Sequence, residues 1–215
     1  MLVLLLSTAA PLVATAGGVV VQQVTAAEYQ QARKAARPGR TVVTFPVRKQ
    51  GRRLSIPTST GPVVLQDMIV GEAEVNQGHS EGETTIYTYH GYLSHFKRHL
   101  VEAAYYETTQ WLLIGPDGRR LTLWGKPLYA PDQNRLVSIC QGLEYSGGQP
   151  NIVQLFQLKN GVLQSTWELR PTAWEPEEIF WASPTLLYLK RANYSATGQE
   201  LPASRRYSYC KLLIE

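Results

Sequence analysis

The chain has little of what most catalytic and metal sites are made from. It carries two cysteines, Cys140 and Cys210, in 215 residues, too few for an all-cysteine zinc site or a disulfide-dense scaffold. Aspartate occurs only at Asp67, Asp117 and Asp132, and turn chemistry accounts for the last two. No Gly-x-Ser-x-Gly element places a nucleophilic serine on a strained turn. No glycine-rich loop precedes a helix, which argues against nucleotide chemistry. Beyond residue 16 no apolar segment reaches the roughly 20 residues of a membrane-spanning helix. Hydrophobic residues at 44% and charged residues at 18% are ordinary globular values, and one domain is expected.

Residues 1–16 form an apolar run ending in Ala14-Thr15-Ala16, the small-x-small pattern that signal peptidase requires. Cleavage after Ala16 is the expectation, giving a secreted or periplasmic chain that begins at Gly17. No Lys or Arg precedes the run, which places the expected true start upstream. In an oxidising compartment Cys140 and Cys210 admit a disulfide, with two buried inert thiols as the alternative. Cys210 shares strand parity with Leu212 and Ile214 and is expected to face the core. Thr25-Ala26-Ala27-Glu28 fits a capping box, and a helix of about three turns follows until Pro38-Gly39 stops it. Its expected contact stripe contains Val24, Tyr29 and Ala32. Segment 17–39 is thus an N-terminal piece with a short helix, and 40–215 a single mainly-β domain.

From Arg40 onward short β-branched and aromatic runs alternate with Gly, Pro, Asn and Asp, the pattern of strands and turns. The runs are 41–45, 53–56, 63–70, 84–89, 99–106, 111–114, 119–124, 135–140, 152–158, 162–169, 179–182, 186–190 and 207–214. Polar stretches 72–83 and 194–204 read as mobile loops. Leu112, Gly118 and Trp124 recur 43 positions later as Leu155, Gly161 and Trp167. The dipeptides Asp117-Gly118 and Asn160-Gly161 stand in register, as hairpin turns with two positive-φ positions would. Later in each unit, Ala130-Pro131 and Arg135-Leu136-Val137 correspond to Ala182-Ser183-Pro184 and Thr185-Leu186-Leu187.

The stretch from Trp111 to Ile139, with its Pro116-Asp117-Gly118 turn, Leu121-Thr122 and the Ala130-Pro131-Asp132 turn, resembles a blade of the TolB-type, WD-like β-propeller repeat. A second unit, 152–190, keeps the Asn-Gly turn and Trp167 but lacks the Pro-Asp element. The two cover about 80 residues. Closed propellers have about four to eight blades of about 40 to 50 residues, and 40–106 shows no clear copy. The expected fold is therefore mainly β: antiparallel meanders in an incomplete propeller-like stack with one short N-terminal helix, or alternatively a β-sandwich.

His90, His95 and His99 lie close in sequence, and with Glu102 they form the one grouping that suggests metal or hydrolytic chemistry. It matches no established ligand pattern. Facing carboxylates for acid–base hydrolysis would have to come from Glu102 with Glu107, or from Glu175, Glu177 and Glu178, which read as a solvated loop. Asn193-Tyr194-Ser195 fits a glycosylation sequon. No catalytic, metal or cofactor residue is assigned on these grounds, and no cofactor is expected.

Charge is concentrated. Arg33, Lys34, Arg37, Arg40, Arg48, Lys49, Arg52 and Arg53 fall in one segment with no acidic residue among them. Such a segment suits an anionic surface, or deters edge-to-edge pairing of strands. Of the aromatic residues Tyr87, Tyr89, Tyr92, Tyr105, Tyr106, Trp111, Trp124, Trp167, Trp174 and Trp181, most are expected in the core, with Trp174 and Trp181 the candidates for exposure.

The combined expectation is a secreted, non-catalytic binding or structural module holding a protein or envelope partner, with no nucleic acid and no transmembrane span. Two alternatives stand beside it. One is a secreted hydrolase or metal-dependent enzyme using the region from His90 to Glu102. The other is a peripheral binder of anionic surfaces through 33–53.

Overall fold

A computed structural model of the chain describes residues 13–16, 18–143, 148–195 and 201–215. Most of the expected leader, residues 1–12, and Gly17 at the expected cleavage point lie outside the described residues. Strands β1 (Val13–Ala16) and β2 (Val19–Val24) precede helix α1 (Ala26–Ala35). Next come β3 (Val43–Thr44) and a hairpin of β4 (Arg53–Ile56) and β5 (Val63–Gln66). A short helix α2 (Glu72–Asn76) and a 3₁₀ turn, Glu81–Glu83, lead into two meanders. The first runs β6 (Thr85–Leu93), β7 (Arg98–Tyr105), β8 (Thr109–Ile114) and β9 (Arg120–Leu123). The second runs β10 (Leu128–Tyr129), β11 (Arg135–Cys140), β12 (Ile152–Lys159) and β13 (Val162–Leu169). The last elements are β14 (Trp174–Ser183), β15 (Leu186–Asn193), a helical turn α3 (Ala203–Arg206) and β16 (Tyr207–Ile214).

The strands build a first sheet of order β3-β6-β7-β8-β9, a middle sheet β10-β11-β12-β13 and a closing sheet β1-β2-β16-β15-β14. Strand periodicity sends alternate side chains to opposite faces, and the cores follow from it. On β8, Leu112 and Ile114 pack with Leu54, Ile56 and Leu65 of the β4–β5 hairpin. Trp111 and Leu113 turn the other way, to Leu136 and Phe156 of the middle sheet. On β12, Val153 and Leu155 meet Trp181, Leu187, Leu189 and Leu212 of the closing sheet. Tyr29 of α1 caps that sheet's far face against Phe180 and Tyr188. The order is hairpin, first sheet, middle sheet, closing sheet, helix: a mainly-β, open stack of antiparallel sheets, three of them rather than the two of a sandwich. Sheets buried on both faces lose the polar half of their alternation, which is why β8 and β12 read as nearly continuous apolar runs.

The α1 expectation holds at its cap, where Thr25 Oγ1 accepts from the Glu28 N–H at 3.1 Å. The Glu28 side chain does not reach back. Its Oε1 accepts from Tyr188 Oη and Lys211 Nζ, each at 3.1 Å, so the carboxylate ties the helix to the closing sheet. The stripe is as expected, with Tyr29 buried and Val24 and Ala32 packed beside it.

Four local expectations are corrected. Residues 19–24, where no strand is expected from the sequence, form β2 and pair with β16 from Val19↔Ile214 to Val24↔Tyr209. Residues 72–83 are not a bare loop: α2 and the 3₁₀ turn occupy them, with Ser80 Oγ capping the Gly82 N–H. Glu175, Glu177 and Glu178 belong to strand β14 rather than a solvated loop. Pro176 is tolerated there because β14 is an edge strand with a bulge at that point. The two turns also differ. Asn160 and Gly161 both take positive φ, 52° and 76°, as a two-residue hairpin needs. At Asp117-Gly118 only Gly118 does, within a longer loop closed by Gly115 and Arg119. Both hairpins are the last two strands of a meander. Yet Leu112 faces away from the middle sheet while Leu155 faces the closing sheet, so residues matched at the 43-position spacing point in opposite directions along the stack.

Candidate interaction surface

The features that could carry function converge on the free edge of the first sheet, and a bulge in β6 shapes it. Register passes from Tyr89↔Val101 to Gly91↔Leu100, leaving His90 as the extra residue. Such an insertion resets facing beyond it. Tyr89 and Tyr92 therefore both reach the His99 side. Tyr89 Oη and His99 Nδ1 share a 2.9 Å hydrogen bond, and the Tyr92 ring centroid lies 4.8 Å from the His99 ring. His90 stays on the opposite face, donating from Nε2 to Glu102 Oε2 at 2.7 Å, its ring centroid 4.7 Å from that of Trp111. His95 sits exposed in the β6–β7 turn. His99 and Glu102 are three residues apart on one strand and point to opposite faces.

The sequence grouping of three histidines with Glu102 is thus split. Among the described residues no group of three His, Cys, Asp or Glu side chains is placed to hold a metal ion. His99 is buried, and burial lowers its pKa from the usual 6.5. Glu107 lies exposed in the next turn, away from Glu102. On β14, Glu175 is buried and accepts from the Leu143 N–H and from Tyr194 Oη. Glu177 pairs with Lys190, and Glu178 with Arg33 and Tyr29. The three neighbouring carboxylates thus serve separate sets of partners.

The remaining expectations divide. Cys140 and Cys210 are both buried free thiols on different sheets, and burial pushes each up to about 11. The Asn193 amide donates to the Arg205 carbonyl and its oxygen accepts from Ser208, so the sequon asparagine is already engaged. The expected exposure of Trp174 and Trp181 is corrected. Trp181 is only 2% exposed and donates from Nε1 to the Leu128 carbonyl, while Trp174 is half-buried under Arg191. Both lie on β14, which the closing sheet turns inward onto the middle sheet. Trp167 is in the core, and Trp124 is half-buried.

The basic segment separates into working and free charges. Lys49 Nζ turns inward, donating to Asp67 Oδ2 at 2.5 Å and to the Tyr87 carbonyl at 2.7 Å. Arg33 pairs with Glu178 at 2.7 Å. Lys34, Arg37, Arg40, Arg48, Arg52 and Arg53 are exposed, and none forms an ion pair with a described residue.

Between Arg40 and Arg48 runs β3 with its flanks, and here large apolar side chains are exposed beside Thr44: Val42 and Phe45 are each 66% exposed and Val43 38%. Among the described residues β3 pairs with β6 on one side and carries no strand on the other. Beyond its end a cleft of about 270 Å³ is lined by Pro46, Arg48, Gln50, Arg53, Ser55 and Pro57. The apolar edge escaped the sequence reading because 41–45 has the composition of a core strand. The arginines on both sides had already suggested a strand edge, and Pro46 agrees with that, but neither says that the strand between them exposes apolar side chains.

The chain matches no protein-family model, no curated protein and no solved structure.

Proposed function

We propose that this chain is a secreted or periplasmic, non-catalytic binding module that holds a protein or cell-envelope partner on the surface around β3. The observation that carries the reading is the coincidence, on one sheet edge, of exposed apolar side chains and arginines without acidic partners. Exposed apolar residues cost solubility unless something covers them, and a rim of unpaired positive charge speeds and orients a charged partner's approach. A scaffold of stacked sheets holds that edge rigidly, in keeping with the interaction role that the TolB-like resemblance implies. The leader-like residues 1–16 support placement outside the cytoplasm.

The test compares the full chain with its Arg40→Glu/Arg48→Glu/Arg53→Glu variant in the cells that make it, by crosslinking and fractionation. Loss of a discrete crosslinked complex in the variant, with circular dichroism unchanged, is the expected result. An identical complex in both retires the surface as the binding site.

A further inference from the structure

Resting on that reading, we propose that the partner presents an extended acidic segment, and that this segment adds to the first sheet as a strand beside β3. Three observations converge on it.

The first is hydrogen bonding. Val43 pairs with Leu93 and Thr44 with Tyr92, and the Val42 carbonyl accepts from the Ser94 N–H at 3.2 Å. In an antiparallel ladder, backbone groups alternate between facing the neighbour and facing away. With the backbone groups of Val42 and Thr44 turned to β6, the N–H and C=O of Val43 point outward, into the side that carries no strand among the described residues, and continuing the same alternation past the end of β3 turns those of Phe45 the same way. A segment laid along that side finds a donor and an acceptor two residues apart, the pattern by which sheets accept an added strand.

Charge selects the occupant. No acidic residue occurs between Glu28 and Asp67, and Arg40, Arg48 and Arg53 flank the strand without an ion pair to any described residue. A second copy of this chain would bring the same arginines against themselves, and like charges facing across a pairing are destabilising. An acidic segment pairs with them instead. Arg40 and Arg48 are at most about 28 Å apart along the chain, the length of an extended segment of about eight residues.

The cleft beyond the strand supplies an end stop. The turn from Gln50 to Arg53 closes by two backbone bonds of 2.8 and 2.9 Å, which holds Arg53 beside Arg48 at the cleft lining. A carboxylate at the end of the added strand reaches both guanidinium groups, and Val42 and Phe45 give apolar contact along its length.

The probe is an eight-residue peptide, acetyl-Glu-Glu-Val-Thr-Val-Thr-Glu-Glu-amide, titrated against the full chain with fluorescence anisotropy and amide exchange followed by NMR. Binding that slows exchange of the Val43 and Phe45 N–H groups by about tenfold or more is expected. The Lys-for-Glu peptide and the Arg48→Glu/Arg53→Glu variant should each weaken binding about tenfold, with the variant's thermal midpoint unchanged. Peptide binding without slowed exchange at those two amides overturns strand addition in favour of simple charge contact. No peptide binding, with phosphatidylglycerol vesicles bound instead, overturns it in favour of a lipid surface. If no probe binds while the crosslinked complex in cells still depends on the arginines, strand addition falls and the binding-module reading stands. If neither depends on them, both fall.

Discussion

Gly91 of β6 lies directly beneath Val43 of β3. A Cβ at Gly91 would stand 2.3 Å from Val43 Cγ1 and 2.9 Å from the Thr44 carbonyl oxygen, and its φ of 105° is one that side-chain-bearing residues rarely adopt. The free edge strand can dock only because this position has no side chain. Gly91→Ala is expected to cost about 2 kcal/mol and lower Tm by about 4–8 °C for a chain of this size. It should also release Thr44 from exchange protection and abolish any binding at the β3 edge. A variant with unchanged Tm and protection would show that β3 is not held this way.

Asp67 joins the β4–β5 hairpin to the first sheet. Its carboxylate accepts from Lys49 Nζ and, at 2.9 Å, from the Tyr87 N–H, and its side chain is 5% exposed. Asp67→Ala leaves the half-buried Lys49 ammonium without its counter-charge, held only by the Tyr87 carbonyl, and the Tyr87 N–H without its acceptor, and a loss of about 3 kcal/mol is expected. Lys49→Met, which keeps the apolar stem, should cost less. Denaturant unfolding of both variants measures the difference, and equal losses would mean that Asp67 acts only through Lys49.

Acid should weaken the fold through His99. Burial lowers its pKa in the folded state, so the unfolded chain binds a proton that the folded chain refuses in the window just below pH 6.5. Stability therefore falls as pH drops through that window and recovers on returning to neutral pH. Urea unfolding at about pH 7.5 and about pH 5.5 should show a smaller pH difference for His99→Gln than for the parent. Equal differences would assign the acid sensitivity to other groups.

Both thiols should be silent in the native protein. With each pushed up to about 11 and buried, almost no thiolate exists at neutral pH and reagents cannot reach it. A thiol assay should count none in buffer and two in urea, and mobility on a gel should not change on reduction. Rapid labelling of either cysteine in buffer would contradict this burial.

Processing after Ala16 would remove β1 but leave β2 intact on β16. A chain starting at Gly17 is expected to keep a Tm within a few degrees of the longer form, on the order of 1 kcal/mol. Starting at Thr25 instead deletes β2, including buried Val19, and exposes the closing sheet core. That shorter chain should fail to fold. Amino-terminal sequencing of the natural product tests the cleavage point itself.

Local signals were legible wherever the physics is local. The Thr25 cap, the Tyr29 stripe, the Asn160-Gly161 turn and most strands from 53 onward follow from spacing and turn chemistry, because hydrogen bonds and φ preferences act over a few residues. The meander order was legible for the same reason, since short turns force neighbours to pair. Cys210 read as core-facing from parity with Leu212, and it packs there beside Leu189.

The candidate site was not legible, because it depends on which residues lack a neighbour. Val42, Val43 and Phe45 have the composition of a core strand, and only the sheet order leaves them on an edge. His90, His99 and Glu102 look like a cluster along the chain, yet alternation and the bulge before Gly91 put His99 on one face and the bonded pair of His90 and Glu102 on the other. Trp181 looked free and is buried, because β14 faces the middle sheet. The amino-acid sequence alone determined a chain of antiparallel strands with one capped helix and a block of positive charge. Tertiary structure decided which apolar surfaces are covered, which charges find partners and which strand edge stays open, since burial and pairing are set by contacts between segments far apart in sequence.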